Sequence, residues 1–359
     1  MTPTLPSDAE ITAIRLANDL AARVAGRTSP NPAVGAVVLD PGGRIVGEGA
    51  TQPAGKEHAE VMALRAAGSR AVGGTLVVTL EPCNHLGRTG PCTEAVIAAG
   101  IIRVVYAVDD PNPVAAGGAQ RLRDAGLQVL AGVEEAEVLR GALGPWRHAV
   151  TQARPFVTWK FAGTLDGRSA AADGSSRWVS NALSRADAHA LRDVVDAIVV
   201  GSGTVLMDDP QLTVRGVRGL ASDEPAERQP LRVVMDRRRR VPPDARIFDG
   251  AAETLVLDTA VPRFALKALF DRGVRHVLLE GGPTLAGAFA EARLVDQVVA
   301  YIAPKLLGAG PAVLQDAGIK TMSQAVALEI QDVQRLGDDL RITGRPVSSN
   351  AVEPAPRKE

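Results

Sequence analysis

The 359-residue chain is poor in cysteine, with only Cys83 and Cys92, and carries almost no net charge, its formal balance being −1. Two thiols in a chain of this length make no disulfide framework, which leaves metal binding or catalysis as the better use for them. A balanced charge offers no general attraction to polyphosphate, so a nucleic-acid partner would need a local basic patch, and small substrates fit better. No apolar run reaches the length that crosses a bilayer, and a membrane role is not expected. Residues 1–29 lack a basic start, an apolar core and a small-residue cleavage site, so the cytoplasm is the expected compartment. No GxGxxG follows an early strand, which argues against a Rossmann domain, and no internal repeat is present.

What is present suits a soluble globular protein: 46% hydrophobic and 23% charged residues. The length exceeds what one core usually serves, so two domains are sought. Strands are expected at residues 33–40, 75–80, 101–108 and 127–130, alternating with helices at 59–67, 93–99 and 119–125, a layered α/β pattern. A mixed segment, 134–154, precedes a new strand pattern from Pro155, which puts the boundary near Ala153. The second half repeats the α/β alternation, with strands at 197–200, 231–235, 254–257, 274–279 and 297–302 and helices at 185–194, 263–271 and 284–292. Residues 214–230 read as a polar surface loop. The expected division is 1–153, 154–346 and a frayed tail at 347–359.

His58-Ala59-Glu60, Glu81-Pro82-Cys83 and Cys92 follow the histidine, glutamate and paired-cysteine pattern of zinc nucleobase deaminases. One imidazole and two thiolates supply three tetrahedral zinc ligands and leave the fourth position to water, the open geometry of a catalytic site. Glu60, two residues beyond His58 on the first turn of a helix, can sit beside the metal without ligating it. It is expected to take a proton from the attacking water and pass it to a ring nitrogen. Eight residues separate Cys83 from Cys92 where the common signature has two, which weakens a match to cytidine deaminases. A metal-free buried cluster, or a structural zinc with His85 as fourth ligand, are the competing readings; His85 is assigned to substrate contact instead.

The whole insert Thr79-Leu80-Glu81-Pro82-Cys83-Asn84-His85-Leu86-Gly87-Arg88-Thr89-Gly90-Pro91-Cys92 closely resembles the deaminase half of the bifunctional riboflavin-biosynthesis deaminase/reductase family. Ser29-Pro30-Asn31-Pro32-Ala33-Val34-Gly35 and Asp109-Asp110-Pro111-Asn112-Pro113 resemble it too. The likeness continues through Arg154-Pro155-Phe156-Val157, Leu165-Asp166-Gly167-Arg168, Ser176-Arg177-Trp178 and Thr204-Val205-Leu206-Met207-Asp208-Asp209-Pro210, and covers residues 10–345. The resemblance implies a cytidine-deaminase-like first domain and a dihydrofolate-reductase-like second domain. It implies Zn2+ and NADPH as cofactors, and a diaminopyrimidinone ribosylamine 5′-phosphate that is deaminated before its ribosyl group is reduced to ribityl. Small phosphorylated pyrimidines are then the partners, and a homo-oligomer is the expected assembly.

In the second half, Glu280-Gly281-Gly282-Pro283-Thr284-Leu285-Ala286-Gly287 follows a strand and opens a helix, so backbone N–H groups can face a dinucleotide phosphate. The same glycines would equally serve chain reversal. By resemblance, the cofactor contacts fall on Ala162, Trp178, Thr204, Asp208 and the turn Gly282, Pro283, Thr284, Leu285, Ala286, Gly287 and Ala288. The substrate contacts fall on Ser176, Arg192, Leu212, Arg215 and Glu280, with Asn31 and His85 in the first domain. Arg192 and Arg215 suit a 5′-phosphate because a guanidinium gives two parallel charged hydrogen bonds. Lys160 is a candidate to polarise the ring-opened imine, against a plain strand-edge lysine. Arg237-Arg238-Arg239-Arg240 departs from the family, where a serine stands at position 237. Two readings of it stand, a solvated turn and a grip on the 2′-phosphate of NADPH. The rival to the whole scheme is a zinc nucleobase deaminase with a non-catalytic C-terminal binding module.

Overall fold

The computed structural model describes residues 5–85, 90–218 and 224–347. Part of the cysteine insert, part of the polar loop and the tail beyond 347 lie outside the described residues. The chain forms two compact units: one runs to Pro155 and includes Leu269–His276, and the other comprises Phe156–Ala268 and resumes at Val277.

The first unit holds α1 (Asp8–Val24), β1 (Gly35–Leu39), β2 (Ile45–Ala50), α2 (Ala59–Ala67), β3 (Thr75–Leu80), α3 (Cys92–Ala98), β4 (Arg103–Val108), α4 (Gly118–Asp124), β5 (Gln128–Leu130), α5 (Glu135–Arg140) and α6 (Leu143–Gln152). Its sheet runs β2-β1-β3-β4-β5, with β1 antiparallel to both neighbours and β3, β4 and β5 parallel. All five residues of β1 are buried, as a strand covered on both faces requires.

Four of these elements, α1, β2, α5 and α6, escape the sequence reading. α1 is announced only by its start, where Ser7 and Glu10 cap each other reciprocally. Glu10 is also buried and takes a twin hydrogen bond from Arg103 of β4, at 2.6 and 3.2 Å. The mixed segment 134–154 is two helices, α5 and α6. Gly144 and Pro145 sit in the first turn of α6, where a missing N–H costs nothing.

The second unit contains β6 (Phe156–Thr164), α7 (Ala182–Asp193), β7 (Ala197–Gly201), α8 (Ser202–Asp208), β8 (Leu231–Met235), β9 (Thr254–Leu257), most of α9 (Pro262–Asp271) and of β10 (His276–Gly281), whose residues within Leu269–His276 fall in the first unit, and α10 (Pro283–Glu291), β11 (Gln297–Ala303), β12 (Leu328–Leu336) and β13 (Asp339–Pro346). The eight strands are ordered β12-β13-β11-β6-β10-β7-β8-β9. The run β10-β7-β8-β9 is parallel, β6 pairs parallel to β11, and β12 and β13 close the edge as an antiparallel hairpin. This is the dihydrofolate-reductase-like layout. The hairpin was not anticipated because eight of the nine residues of β12 are exposed, so no alternation of burial marks it in the sequence. Within β8 the fully buried Arg232 donates to Gln211 O, Asp249 Oδ1 and Ala252 O, the pairing that a buried charge demands.

The height of α2 above the first sheet is set by two glycines of β2. A Cβ at Gly49 would lie 2.3 Å from Ala59 O, and one at Gly47 would lie 2.2 Å from Ala63 O. Helix and strand meet backbone to backbone, and α2 begins one residue after His58. Gly49→Ala is therefore expected to displace the start of α2 and destabilise the unit by about 1–3 kcal/mol, read by chemical denaturation. An unchanged denaturation midpoint would show that the contact is not tight.

Candidate functional sites

A cavity of about 540 Å³ in the first unit is lined by, among others, Asn31, Lys56, His58, Glu60, Glu81, Cys83, His85, Asp110, Asn112 and Trp146. His58 is the N-cap residue of α2, in an extended conformation (φ −80°, ψ 163°) with no side-chain capping bond, so its imidazole is free for other work. Cys83 follows β3, and Cys92 opens α3, where a thiolate gains from the positive end of the helix. Thr93 N donates to Cys83 O at 3.3 Å and ties the two cysteine segments together.

The Nδ1 of His58 lies 3.2 Å from Cys92 Sγ and 3.6 Å from Cys83 Sγ, and the three donors all fall within 4.8 Å of one another. Tetrahedral zinc bonded to imidazole and thiolate holds nitrogen and sulfur roughly 3.5 Å apart, so the donors fit that ion. Both cysteines are free. A hydrogen bond from the Cys92 thiol, with His58 beside it, pulls Cys83 down to about 4. That same bond, together with burial, pushes Cys92 up. With a cation held by these donors both thiols would bind as thiolates, and the asymmetry would vanish.

Glu60, on the first turn of α2, is 4% exposed and lines the cavity without joining the donor set. Burial raises its carboxyl, the Cys83 charge adds to the rise, and His58 opposes it. Asn31 and His85 line the same space, and the buried Nδ1 of His85 has no hydrogen-bond partner among the described residues. The sequence reading gave no role to Glu81 or Asp110. Glu81 accepts from Asp110 N and Ala119 N at 3.2 and 2.8 Å, which fastens the Cys83 segment to the Asp109–Pro113 text and to the start of α4. Asp110 is pushed up to about 6, mainly by burial.

A second cavity, of about 680 Å³ in the second unit, gathers the ends of β6, β7, β8 and β10 with the starts of α8 and α10. Ala162, Ser176, Thr204, Asp208, Glu280, Lys160, Gly282, Pro283, Thr284, Leu285 and Ala288 line it. Gly281, at φ +112°, makes a turn that only glycine takes without strain. Gly282 then caps α10, with Pro283 at its first position.

Other expected residues lie elsewhere. Ala286 is fully buried, and Gly287 faces the chain at Gln315, where a Cβ would stand 1.7 Å from the carbonyl oxygen. Trp178 is 63% exposed beneath the Arg185 guanidinium, 4.3 Å from its ring. Leu212 belongs to a core cluster, and the backbone N–H of Arg215 meets His189 Nδ1 at 3.4 Å. Arg192, expected at a phosphate, closes its fork on Glu280 at 2.5 and 2.9 Å and gives its remaining arm to Thr213 O.

Lys160 Nζ stands 3.8 Å from the same Glu280 carboxylate. Burial alone would neutralise Glu280, but Arg192 and then Lys160 overcome it and hold the group at about 2. Burial, helped by Arg192, lowers the Lys160 ammonium against the pull of Glu280. His189, unremarked in the sequence, is pushed down to about 4 by burial and by the Arg192 and Arg215 charges.

The family described as the RibD C-terminal domain matches residues 155–342, and the cytidine and deoxycytidylate deaminase zinc-binding region matches residues 8–108. The chain is 50% identical over 331 residues to the riboflavin biosynthesis protein RibD of Mycobacterium tuberculosis, covering 92% of this chain and 96% of that one. It is 40% identical to the Escherichia coli RibD, over 89% of this chain and 95% of that one. A Thermotoga maritima structure described as a diaminohydroxyphosphoribosylaminopyrimidine deaminase/5-amino-6-(5-phosphoribosylamino)uracil reductase superposes with a TM-score of 0.86 at 34% identity, covering 94% of this chain and 99% of that one. An Acinetobacter baumannii RibD structure gives 0.85 at 36% identity, over 95% and 99% of the two chains.

Two outcomes follow from the geometry. Cys92→Ser is expected to lower zinc affinity at least about 100-fold, so that metal analysis of the dialysed variant finds little zinc where the parent holds about one ion per chain. Full retention would mean that these donors do not hold the ion. The second concerns His189, whose folded pKa is depressed below its unfolded value of about 6.5. The unfolded chain then binds the extra proton, so stability is full above about pH 6.5 and falls as the pH drops toward 4, by roughly 1–3 kcal/mol. In urea titrations across that window, His189→Gln should show a shallower fall, and equal slopes would refute the assignment.

Proposed function

The chain belongs to the RibD family of riboflavin-biosynthesis proteins, a bifunctional deaminase and reductase using zinc and NADPH, and on that premise we propose the substrates and the residues that serve each step. The first unit hydrolyses the ring amino group of 2,5-diamino-6-(5-phosphoribosylamino)pyrimidin-4(3H)-one. The second reduces the ribosyl group of 5-amino-6-(5-phosphoribosylamino)uracil to ribityl. The observation that carries the reading is the three-donor cluster of His58, Cys83 and Cys92 with Glu60 beside it in one cavity.

In the first unit His58, Cys83 and Cys92 would hold the zinc, which supplies a nucleophilic water near neutral pH. Glu60, buried and outside the ligand set, takes a proton on a carboxylate oxygen and returns it to the ring nitrogen, so that the amidine carbon accepts attack and ammonia leaves. Asn31 and His85 face the pyrimidine and hold its polar edge, the unpartnered His85 Nδ1 providing one hydrogen-bonding atom.

In the second unit the Gly281–Leu285 turn, Ala162, Thr204, Asp208 and Ala288 would hold NADPH, which supplies the hydride for C1′ of the ring-opened imine. The glycine turn fits a dinucleotide because it lets backbone N–H groups approach a phosphate closely. Ala286 and Gly287 support this turn from behind, through the packing of α10, without lining the cavity. Lys160, anchored by Glu280, polarises the imine nitrogen, while Ser176 orients the ribosyl hydroxyls. Arg192 positions Glu280 through its closed fork.

Among the described residues no helix is long and apolar enough to cross a membrane. A cytoplasmic homo-oligomer accompanies the reading: β12 is an edge strand with Ile330 and Val333 more than half exposed, which a second copy would cover. The deciding experiment supplies the diaminopyrimidinone ribosylamine phosphate and follows ammonia, then NADPH. Glu60→Ala should cut ammonia release by about 10²–10⁴-fold and leave reduction of supplied aminouracil intact. Ammonia without any NADPH consumption in the parent would reduce the second unit to a binding module.

A further inference from the structure

The Arg237–Arg240 run is not absorbed by the assignments above. Arg237, Arg238 and Arg240 line the second cavity, whereas Arg239 turns to Asp258, with its Nη2 3.1 Å from Oδ2. The turn is built from beneath. Asp236, 3% exposed at the end of β8, accepts from Val241 N at 2.9 Å through Oδ2, and its carbonyl accepts from Arg239 N at 3.1 Å. Arg240 Nη2 donates to Ser202 Oγ at 2.8 Å, which fixes that guanidinium against the start of α8. Arg237 and Arg238 make no hydrogen bond or ion pair with any described residue. Two unpaired guanidiniums on a closed turn, facing a cavity with a third held beside them, form a site for a dianion.

The strand order says which dianion. The cavity extends from Lys160 on β6, across β10, β7 and β8, to Thr259 and Ala260 just beyond β9. Four strand spacings make about 19 Å, the scale of an extended dinucleotide. The Lys160–Glu280 ion pair, with the lysine proposed to polarise the imine, lies at the β6 and β10 end, so a nicotinamide that must meet substrate belongs there. The middle is the glycine turn before α10, suited to the pyrophosphate. The adenosine half is thereby carried to the ends of β8 and β9, among the three arginines.

We propose that Arg237 and Arg238, steadied by Arg240 on Ser202, grip the 2′-phosphate of the cofactor and so set the preference for NADPH over NADH. The inference rests on reading this cavity as the dinucleotide site. A phosphate monoester there is met by planar donors that can each grip two of its oxygens, while the 2′-hydroxyl of NADH leaves both cations without an anion. Arg239, committed to Asp258 outside the cavity, takes no part.

Binding, not turnover, tests this. Calorimetric titrations of the full-length parent with adenosine 2′,5′-bisphosphate and 5′-AMP, and with NADP+ and NAD+, should favour the 2′-phosphorylated member of each pair by roughly tenfold to a hundredfold. The preference should weaken with added salt. R237A/R238A should bring both ratios to within about threefold of unity, leaving 5′-AMP and NAD+ affinity unchanged. R237K/R238K should restore part of the preference, and R239A should keep all of it. A parent that binds NADP+ and NAD+ equally, or a double alanine variant that keeps the parental ratio, overturns the proposal while the dinucleotide site survives. A parent that binds neither dinucleotide overturns both.

Discussion

Each cavity rests on a carboxylate buried at the end of a strand and denied solvent, whose charge the fold must satisfy completely. Glu81, at the end of β3, does so with backbone: one oxygen takes the N–H of Asp110 and the other the N–H of Ala119 at the start of α4. Glu280, on β10, does so with side chains, through the fork of Arg192 and the ammonium of Lys160. An unpaired carboxylate at such depth would cost several kcal/mol, so the partners cannot drift without exposing the acid. Precision at the sites follows from that penalty. Cys83 is two residues from Glu81, and the glycine turn begins one residue after Glu280, so each anchored acid fixes the element that does the chemistry.

Backbone contact supplies the complementary constraint in the first unit. Gly47 and Gly49 bring β2 against α2, and Gly118 brings α4 against Pro82, where a Cβ would stand 1.7 Å from the carbonyl oxygen. Elements that touch through main chain have no side-chain play between them. The His58 and Glu60 side chains leave one such element, and Cys83 adjoins another. Donors converge to within 4.8 Å here because the elements carrying them have nowhere else to go.

Much of this was legible in the sequence, and for a definable reason. A zinc ligand set is written in residue types that have few other uses, and its spacing reflects a helix start and a strand end only a few residues away from each donor. Hence His58, Glu60, Cys83 and Cys92 could be chosen without a structure, as could the α/β alternation, whose buried strands are continuous apolar runs. What stayed hidden was relational. Nothing along the chain says that Arg192 will close on Glu280, 88 residues away, or that His189 will lie under Arg215. α1 showed only a capping signal, and β12, exposed along most of its length, had no burial pattern to display.

The two units therefore differ in how far sequence reasoning reaches, and the difference is chemical. The deaminase site recruits side chains whose identity announces the task. The reductase site is mostly backbone: a positive-φ glycine, a helix start and the ends of parallel strands, which any of several residue types could frame. In such a site the informative residues are the ones that specialise the cradle. A guanidinium with no partner among the described residues keeps all its donors for a ligand, so an arriving anion displaces only water from it. Arg237 and Arg238 are in that position, while Arg239, one residue on, has Asp258. Adjacent arginines with such different surroundings are distinguished by the turn that Asp236 closes from below, where its Oδ2 takes Val241 N and its carbonyl takes Arg239 N, so the selectivity proposed for a backbone-built site traces back to how that turn is closed.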